Sequence, residues 1–426
     1  MDVKKNTIMN LLGVVLPLMA ALYAIPKLLH LLGDERFSVL LLIWALIGYF
    51  SLFDFGVGRA LTYEISQKLH KPRNVISSYL KAGLLIVFVS AILGFFLVFG
   101  TAEIFVKKYL NISPLLVPDI VDAFIVAAIA VIPTTITSGL RGGLEGVNKF
   151  RESNINRAIL GVSVFALPLV AVKFHGVSLS IIAMYLLIAR VMVMILAFWQ
   201  LRHILFLKAS LSPIRLTPSI FRYGFWVSVS GVLGPLMIYG DRFLLASILS
   251  VSVIAYYATP QEGLLRLLVI PGALASALFH DLSANNKNIK KLWHDFVYYQ
   301  KKVGFIMAGI VLLVILFSQQ FYTYWISEEF SQQAYIPTVI LSIGIFFNSL
   351  GLIALTTLSS LGKVKYIGFL HLTELVFFIP FFYLFTKNFG IIGASIVWTL
   401  RSVLDFYFLH SKTKKVLLLE SFKKNV

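Results

Sequence analysis

Long, continuous apolar runs dominate this chain and limit it to very few kinds of fold. Roughly 20 apolar residues in an α-helix cross the hydrocarbon core of a bilayer. Lipid cannot satisfy backbone polar groups, so only helices and closed barrels span it. Barrel strands alternate apolar and polar residues; these runs do not, which selects helices. We place twelve spans near residues 8–30, 37–63, 76–101, 115–139, 154–174, 178–201, 222–248, 251–279, 303–324, 335–360, 366–386 and 390–410. Composition agrees: 59% of the residues are hydrophobic and only 13% charged, with a mean hydropathy of +0.88. A soluble domain carries about a quarter charged residues, so this chain could not cover a water-facing surface. The first run is too long for a signal-peptide core and lacks a small-residue cleavage site, so it reads as a retained span.

The formal net charge is +18. In a soluble protein that excess would suggest nucleic acid; among spans it reads as basic loops holding the cytoplasmic side, with no nucleic-acid partner. Loops near 4–5, 68–73, 141–157, 202–222, 287–302, 363–365 and 412–424 carry 25 Lys and Arg, against 6 in the alternate loops. The expectation is a multi-pass protein with both termini in the cytoplasm. There is no cysteine, which excludes disulfides and thiolate metal sites. No loop is long enough for a soluble catalytic domain, so function resides in the helix bundle.

The chain repeats itself. Gly13-Val14-Val15-Leu16-Pro17-Leu18-Met19 matches Gly231-Val232-Leu233-Gly234-Pro235-Leu236-Met237 at five of seven positions. Ala60-Leu61 with Glu64-Ile65-Ser66 matches Ala277-Leu278 with Asp281-Leu282-Ser283 at nearly the same offset. Pro168 and Pro380 fall in the fifth spans of the two halves, Arg190 and Arg401 in the sixth. The expectation is an all-α integral membrane protein of about twelve helices in two six-helix lobes, 1–208 and 209–426, with a linker near 202–221 that holds Pro213 and Pro218. An even number of spans per repeat makes the repeats parallel. Transporters on this plan place substrate between repeats and rock one against the other.

Charges at bilayer depth cost at least ~2.5–3.5 kcal/mol on insertion scales and mark pathways or structural pairs. The candidates are Asp54, Arg59, Arg190, Asp241, Arg242, Glu262, Arg266, His371, Glu374, Arg401 and Asp405. Glu262–Arg266 and Arg401–Asp405 are spaced i,i+4, so each is either a self-neutralised pair or a functional one. Arg59 lies near the cytoplasmic end, where a long side chain can snorkel. Asp241 and Arg242 lie toward the opposite end. Arg190 has no acid within one turn, so it needs a partner from another helix or a ligand. Glu374 has only His371 nearby and is either a protonatable group or a core hydrogen-bond partner. Prolines 17, 133, 168, 235, 271 and 380 should bend their spans. Gly56-x-Gly58 reads as close helix packing. Glu328 and Glu329 are adjacent and form no acid/base pair.

The stretch from Leu52-Phe53-Asp54-Phe55-Gly56-Val57-Gly58 to Ser66 resembles the second-helix signature of Wzx-type polysaccharide transporters, the O-antigen flippases. Gly240-Asp241-Arg242-Phe243-Leu244-Leu245, Ala255-Tyr256-Tyr257 and Ile270-Pro271 to Ser283 are similar to that family's seventh and eighth helices, and Ile25-Pro26-Lys27-Leu28 fits its first. The resemblance implies a fold like that of multidrug extruders, with a V-shaped central cavity. It also implies transfer of undecaprenyl-pyrophosphate-linked oligosaccharide from the cytoplasmic to the periplasmic leaflet of a bacterial inner membrane, by ion-coupled alternating access. The lipid-linked oligosaccharide and membrane lipids are the implied partners, with an O-antigen polymerase and a chain-length regulator beside them. Arg190, Arg401, Arg266, Arg242 and Arg59 are the candidates for the anionic substrate. Glu374, Glu262, Asp54, Asp241 and Asp405 are those for a coupling ion, H+ or Na+, with no cofactor.

Two other readings compete. A multidrug or small-molecule exporter of the same fold would favour an acidic cavity. An integral-membrane polymerase or glycosyltransferase would need a large loop or a carboxylate cluster at one interface.

Overall fold

The structure, a computed structural model, describes residues 3–50, 56–284 and 289–423. Among the described residues every regular element is helical. In chain order these are α1 (Val3–Phe50), α2 (Val57–Ser66), α3 (Arg73–Tyr109), α4 (Val117–Gly146), α5 (Phe150–His175), α6 (Leu179–Leu205), α7 (Pro213–Ile248), α8 (Ile254–Arg266), α9 (Val269–Ala284), α10 (Ile289–Trp325), α11 (Glu328–Ser360) and α12 (Val364–Lys423). Eight of the helical stretches are long and apolar enough to cross a membrane among the described residues. Two of these eight contain a break: α1 at Gly33 (φ 71, ψ 168) and α12 at Gly390 (φ 59, ψ −143). Only glycine adopts such angles without strain. The breaks fall where the sequence separates spans one from two and eleven from twelve.

Two expected single spans are interrupted. The second is broken at Gly56, whose φ of 65° caps α2. The eighth divides into α8 and α9, because Pro271 has no N–H to donate to the Leu267 carbonyl one turn back. The Ile270 N–H takes that carbonyl instead, at 3.1 Å, and Leu267 and Leu268 make similarly tight bonds to Leu264 and Leu265. With α7 and the two broken spans counted, the architecture accommodates twelve crossings.

The helices cluster into two compact units, Met1–Ser252 and Val253–Val426. In the first, α4 packs along α3 and α6 and against α1 and α2. Lipid offers no hydrophobic drive between helices, so small residues that permit close approach take over. A Cβ at Gly142 of α4 would lie 2.1 Å from the Gly58 carbonyl oxygen of α2. The Thr62 hydroxyl crosses the same contact and donates to the Gly142 carbonyl at 3.1 Å. Within Gly56-x-Gly58, the second glycine is therefore a packing position and the first is the turn that starts α2. Asp119 of α4 caps α6, accepting from the Leu179 and Ser180 N–H groups at 2.7 and 3.1 Å. α7, which the sequence repeat assigns to the second half, packs on α1, α2 and α3 within this first unit.

In the second unit α11 is the central helix, packed against α8, α9, α10 and α12. Ser327 caps it by accepting from the Phe330 N–H at 3.1 Å, and Glu328 and Glu329 occupy its first turn. Carboxylates there complement the helix dipole. Outward faces in both units carry large apolar side chains, among them Leu93, Phe96, Met192, Phe305, Phe317 and Phe377, as a lipid-facing surface requires.

Candidate functional site

The second unit brings four ionisable side chains together inside one helical hairpin. The two arms of α12 fold back on each other at Gly390. The register is fixed by contacts whose midpoints all fall close to that glycine: Tyr366 with Phe408, His371 with Asp405, and Glu374 with Arg401. His371 Nε2 lies 3.4 Å from Asp405 Oδ1, and Arg401 Nη1 lies 3.8 Å from Glu374 Oε2. The exposed fractions of the four side chains run from 6 to 10%, so this is a buried tetrad. His371 and Glu374 lie one turn apart on the first arm, and Arg401 and Asp405 one turn apart on the second.

The sequence suggested that Arg401 pairs with Asp405 along its own helix. The structure pairs Arg401 across the hairpin with Glu374 and leaves Asp405 to His371. One side-chain nitrogen or oxygen atom from each of His371, Glu374 and Asp405 lies within 4.8 Å of the others. Both Glu374 oxygens, Asp405 Oδ1, His371 Nδ1 and Arg401 Nε have no hydrogen-bond partner. The Trp398 ring stands 5.6 Å from the Arg401 guanidinium. Behind it Gly344 of α11 leaves room that a Cβ would close, at 2.7 Å from Trp398. Buried polar atoms without partners are rare, and each calls for an explanation.

Arg190 presents the opposite situation in the first unit. It lies in the middle of α6 and is 8% exposed. Its Nη1 donates to the Leu186 carbonyl one turn back at 2.9 Å, and no carboxylate pairs with it among the described residues. The hairpin of α5 and α6 turns on Gly176 (φ 76), with Pro168 before the turn and Arg190 after it. The α12 hairpin has Pro380, Gly390 and Arg401 in the same order, which adds a structural element to the sequence repeat.

The remaining candidates separate. Arg59 is exposed on α2. Glu262 and Arg266 form the expected pair along α8 at 3.6 Å, with Arg266 exposed. Asp241 and Arg242 are fully buried in α7, the guanidinium 5.5 Å from the Tyr239 ring. Asp54 lies outside the described residues. Sequence reasoning missed one polar cluster. Asn156 of α5 and Gln200 of α6 exchange amide hydrogen bonds at 2.9 and 3.2 Å, and Lys149 donates to the Gln200 carbonyl at 2.6 Å. Two amides at the expected cytoplasmic ends of neighbouring spans were the available signal; a search for charges alone passes over them.

The fold and the buried polar groups define a class: a multi-pass, all-α membrane protein built like the MATE transporters. An inward-facing multidrug resistance MATE family transporter of the MOP superfamily superposes with a TM-score of 0.78 at 15% identity, covering 97% of this chain and 99% of that one. A MOP superfamily transporter from Pyrococcus furiosus gives 0.70 at 13% identity, over 96% and 94% of the two chains. Sequence narrows the class further. The profile of the family described as "Polysaccharide biosynthesis protein" matches residues 3–279, and the chain belongs to that family. A Shigella flexneri protein provisionally named an O-antigen transporter is 30% identical over 416 residues, 95% of this chain and 96% of that protein.

Proposed function

We propose that the protein is a flippase. It carries undecaprenyl-pyrophosphate-linked oligosaccharide units from the cytoplasmic to the periplasmic leaflet of a bacterial inner membrane, by ion-coupled alternating access, with both termini in the cytoplasm. It acts as a transporter and not as an enzyme. The single observation that carries this reading is Arg190, a buried guanidinium that no described carboxylate neutralises. A charge kept at bilayer depth without a partner suits a site that an anion fills in turn. Guanidinium groups hold phosphate bidentately and stay charged when partly desolvated. Family membership and the name of the Shigella flexneri relative support an oligosaccharide as cargo. An O-antigen polymerase and a chain-length regulator would act on the delivered units.

Arg190 serves as the principal headgroup contact, with Arg242, Arg266 and Arg59 as further candidates. Arg401, held by Glu374, acts with the tetrad instead. Glu374 and Asp405 serve energy coupling, with Glu262, Asp241 and Asp54 as alternatives. The exporter reading for cationic drugs would place an unneutralised acid where Arg190 stands. Deleting the gene should abolish surface glycan and leave lipid-linked units on the cytoplasmic side, restored by the wild-type gene. Normal surface glycan in the deletion strain would refute the reading.

A further inference from the structure

The tetrad of His371, Glu374, Arg401 and Asp405 can be counted as well as mapped. Two carboxylates and one guanidinium sum to a single negative charge. A buried cluster at bilayer depth tends strongly to neutrality, because an unmatched charge in low dielectric is costly. The missing unit of positive charge must come from a proton or from a bound cation. The surrounding groups do not supply it. α11 carries no ionisable side chain between Pro337 and Ser360. Glu262 and Arg266 of α8 pair at 3.6 Å, and on α10, which also packs on α12, Lys291, Lys301 and Lys302 are exposed and His294 lies 3.5 Å from Asp295. On α12 itself, Tyr366 donates to the Phe408 carbonyl at 3.5 Å, His410 packs against Phe296 and Phe406, and Lys412 lies over the Tyr366 ring.

We infer that the α12 hairpin binds one exchangeable proton, and that this proton is the coupling ion. The inference deepens the transport reading above and rests on it. Donor chemistry decides against the alternatives. Hard alkali cations prefer a shell of oxygen ligands, and here an imidazole is one of the three side chains that converge. A divalent transition metal would suit one imidazole and two carboxylates, but beside Arg401 it would leave the cluster with excess positive charge. A proton brings the total to zero. The pairings of His371 with Asp405 and of Arg401 with Glu374 accommodate it on the imidazole or on a carboxyl. Because Arg401 is one turn from Asp405, it can also pair there, and then the proton belongs on Glu374. The proton enters and leaves as H+ from water, so no co-reactant is needed.

The test uses the full-length protein in lipid at neutral pH without sodium. Infrared spectroscopy reads protonated carboxyls, and NMR of isotope-labelled histidine reads the charge of His371. Wild type should hold one proton in the tetrad. His371→Gln should keep it, now on a carboxyl. Glu374→Gln and Asp405→Asn should each lose it, because the remaining charges balance. The double variant Glu374→Gln with Arg401→Gln should retain it, which keeps the test decisive if a single variant fails to fold. A neutral His371 beside two ionised carboxylates in wild type would overturn the inference. So would saturable binding of radioactive sodium, or of zinc, that Asp405→Asn abolishes. Glycan export separates the two readings. A tetrad proton with no dependence of surface glycan on the protein refutes oligosaccharide transport and leaves the proton site standing. Export that persists at the wild-type rate in Glu374→Gln and Asp405→Asn refutes coupling by this proton and leaves the flippase standing.

Discussion

Replacing Arg190 and Arg401 by alanine should have opposite consequences, although the sequence places them at equivalent points of the repeat. Arg190 donates to the Leu186 carbonyl and faces no described acid. Its removal leaves no carboxylate stranded, so Arg190→Ala should accumulate near the wild-type level. What it loses is charge-assisted hydrogen bonding to phosphate, about 1.5–3 kcal/mol, or roughly 10–150-fold in affinity. Arg401 lies 3.8 Å from Glu374 Oε2 in a site 6–8% exposed. Its removal leaves two buried carboxylates against one histidine. Breaking a buried pair from one side costs about 3–5 kcal/mol, a large share of a stability of about 5–15 kcal/mol. Arg401→Ala should therefore be scarce and thermally labile, and Arg401→Gln with Glu374→Gln should recover abundance. The assay is fluorescence-detected size exclusion of tagged variants, with surface glycan normalised to protein. Arg190→Lys should restore part of the transport, since lysine keeps the charge and loses the fork. Comparable loss of protein in Arg190→Ala, or its rescue by neutralising an acid, would refute the argument and make Arg190 a structural residue.

Two further predictions concern the scaffold. Reporter fusions after residues 70, 150, 210, 290 and 415 should all read cytoplasmic, because the basic loops lie there; periplasmic signals at two of them would overturn the twelve-span topology. Gly142→Ala puts a Cβ 2.1 Å from a backbone oxygen of α2, which no side-chain rotation relieves. It should cost about 1–3 kcal/mol, seen as a lower melting temperature in detergent, and an unchanged melting temperature would contradict the packing.

Much of the fold was legible in the sequence because lipid imposes it. Apolar runs gave the spans; the turn at Gly33 falls between the first two, and that at Gly390 at the first residue of the twelfth. Pro271 signalled a bend in the eighth span. The division into α8 and α9 was not foreseen, because a proline inside a membrane helix is often absorbed, as Pro133 and Pro168 are here. The site was legible only in its members. Helical spacing reports neighbours on one helix, so it paired Arg401 with Asp405. The pairing with Glu374 depends on the register of two arms about Gly390, which spacing does not contain. Arg190 has no acid within one turn of its own helix, and among the described residues no carboxylate pairs with it.

The most direct measurement of the central claim is leaflet transfer itself. Vesicles carrying the purified protein and a labelled undecaprenyl-pyrophosphate oligosaccharide would be probed with an impermeant sugar-modifying reagent. Wild type should move the labelled lipid between leaflets faster than protein-free vesicles do. Arg190→Ala should slow that movement by roughly tenfold or more, as the loss of phosphate contacts implies. Equal rates with and without protein, or an Arg190→Ala variant as fast as wild type, would contradict the account.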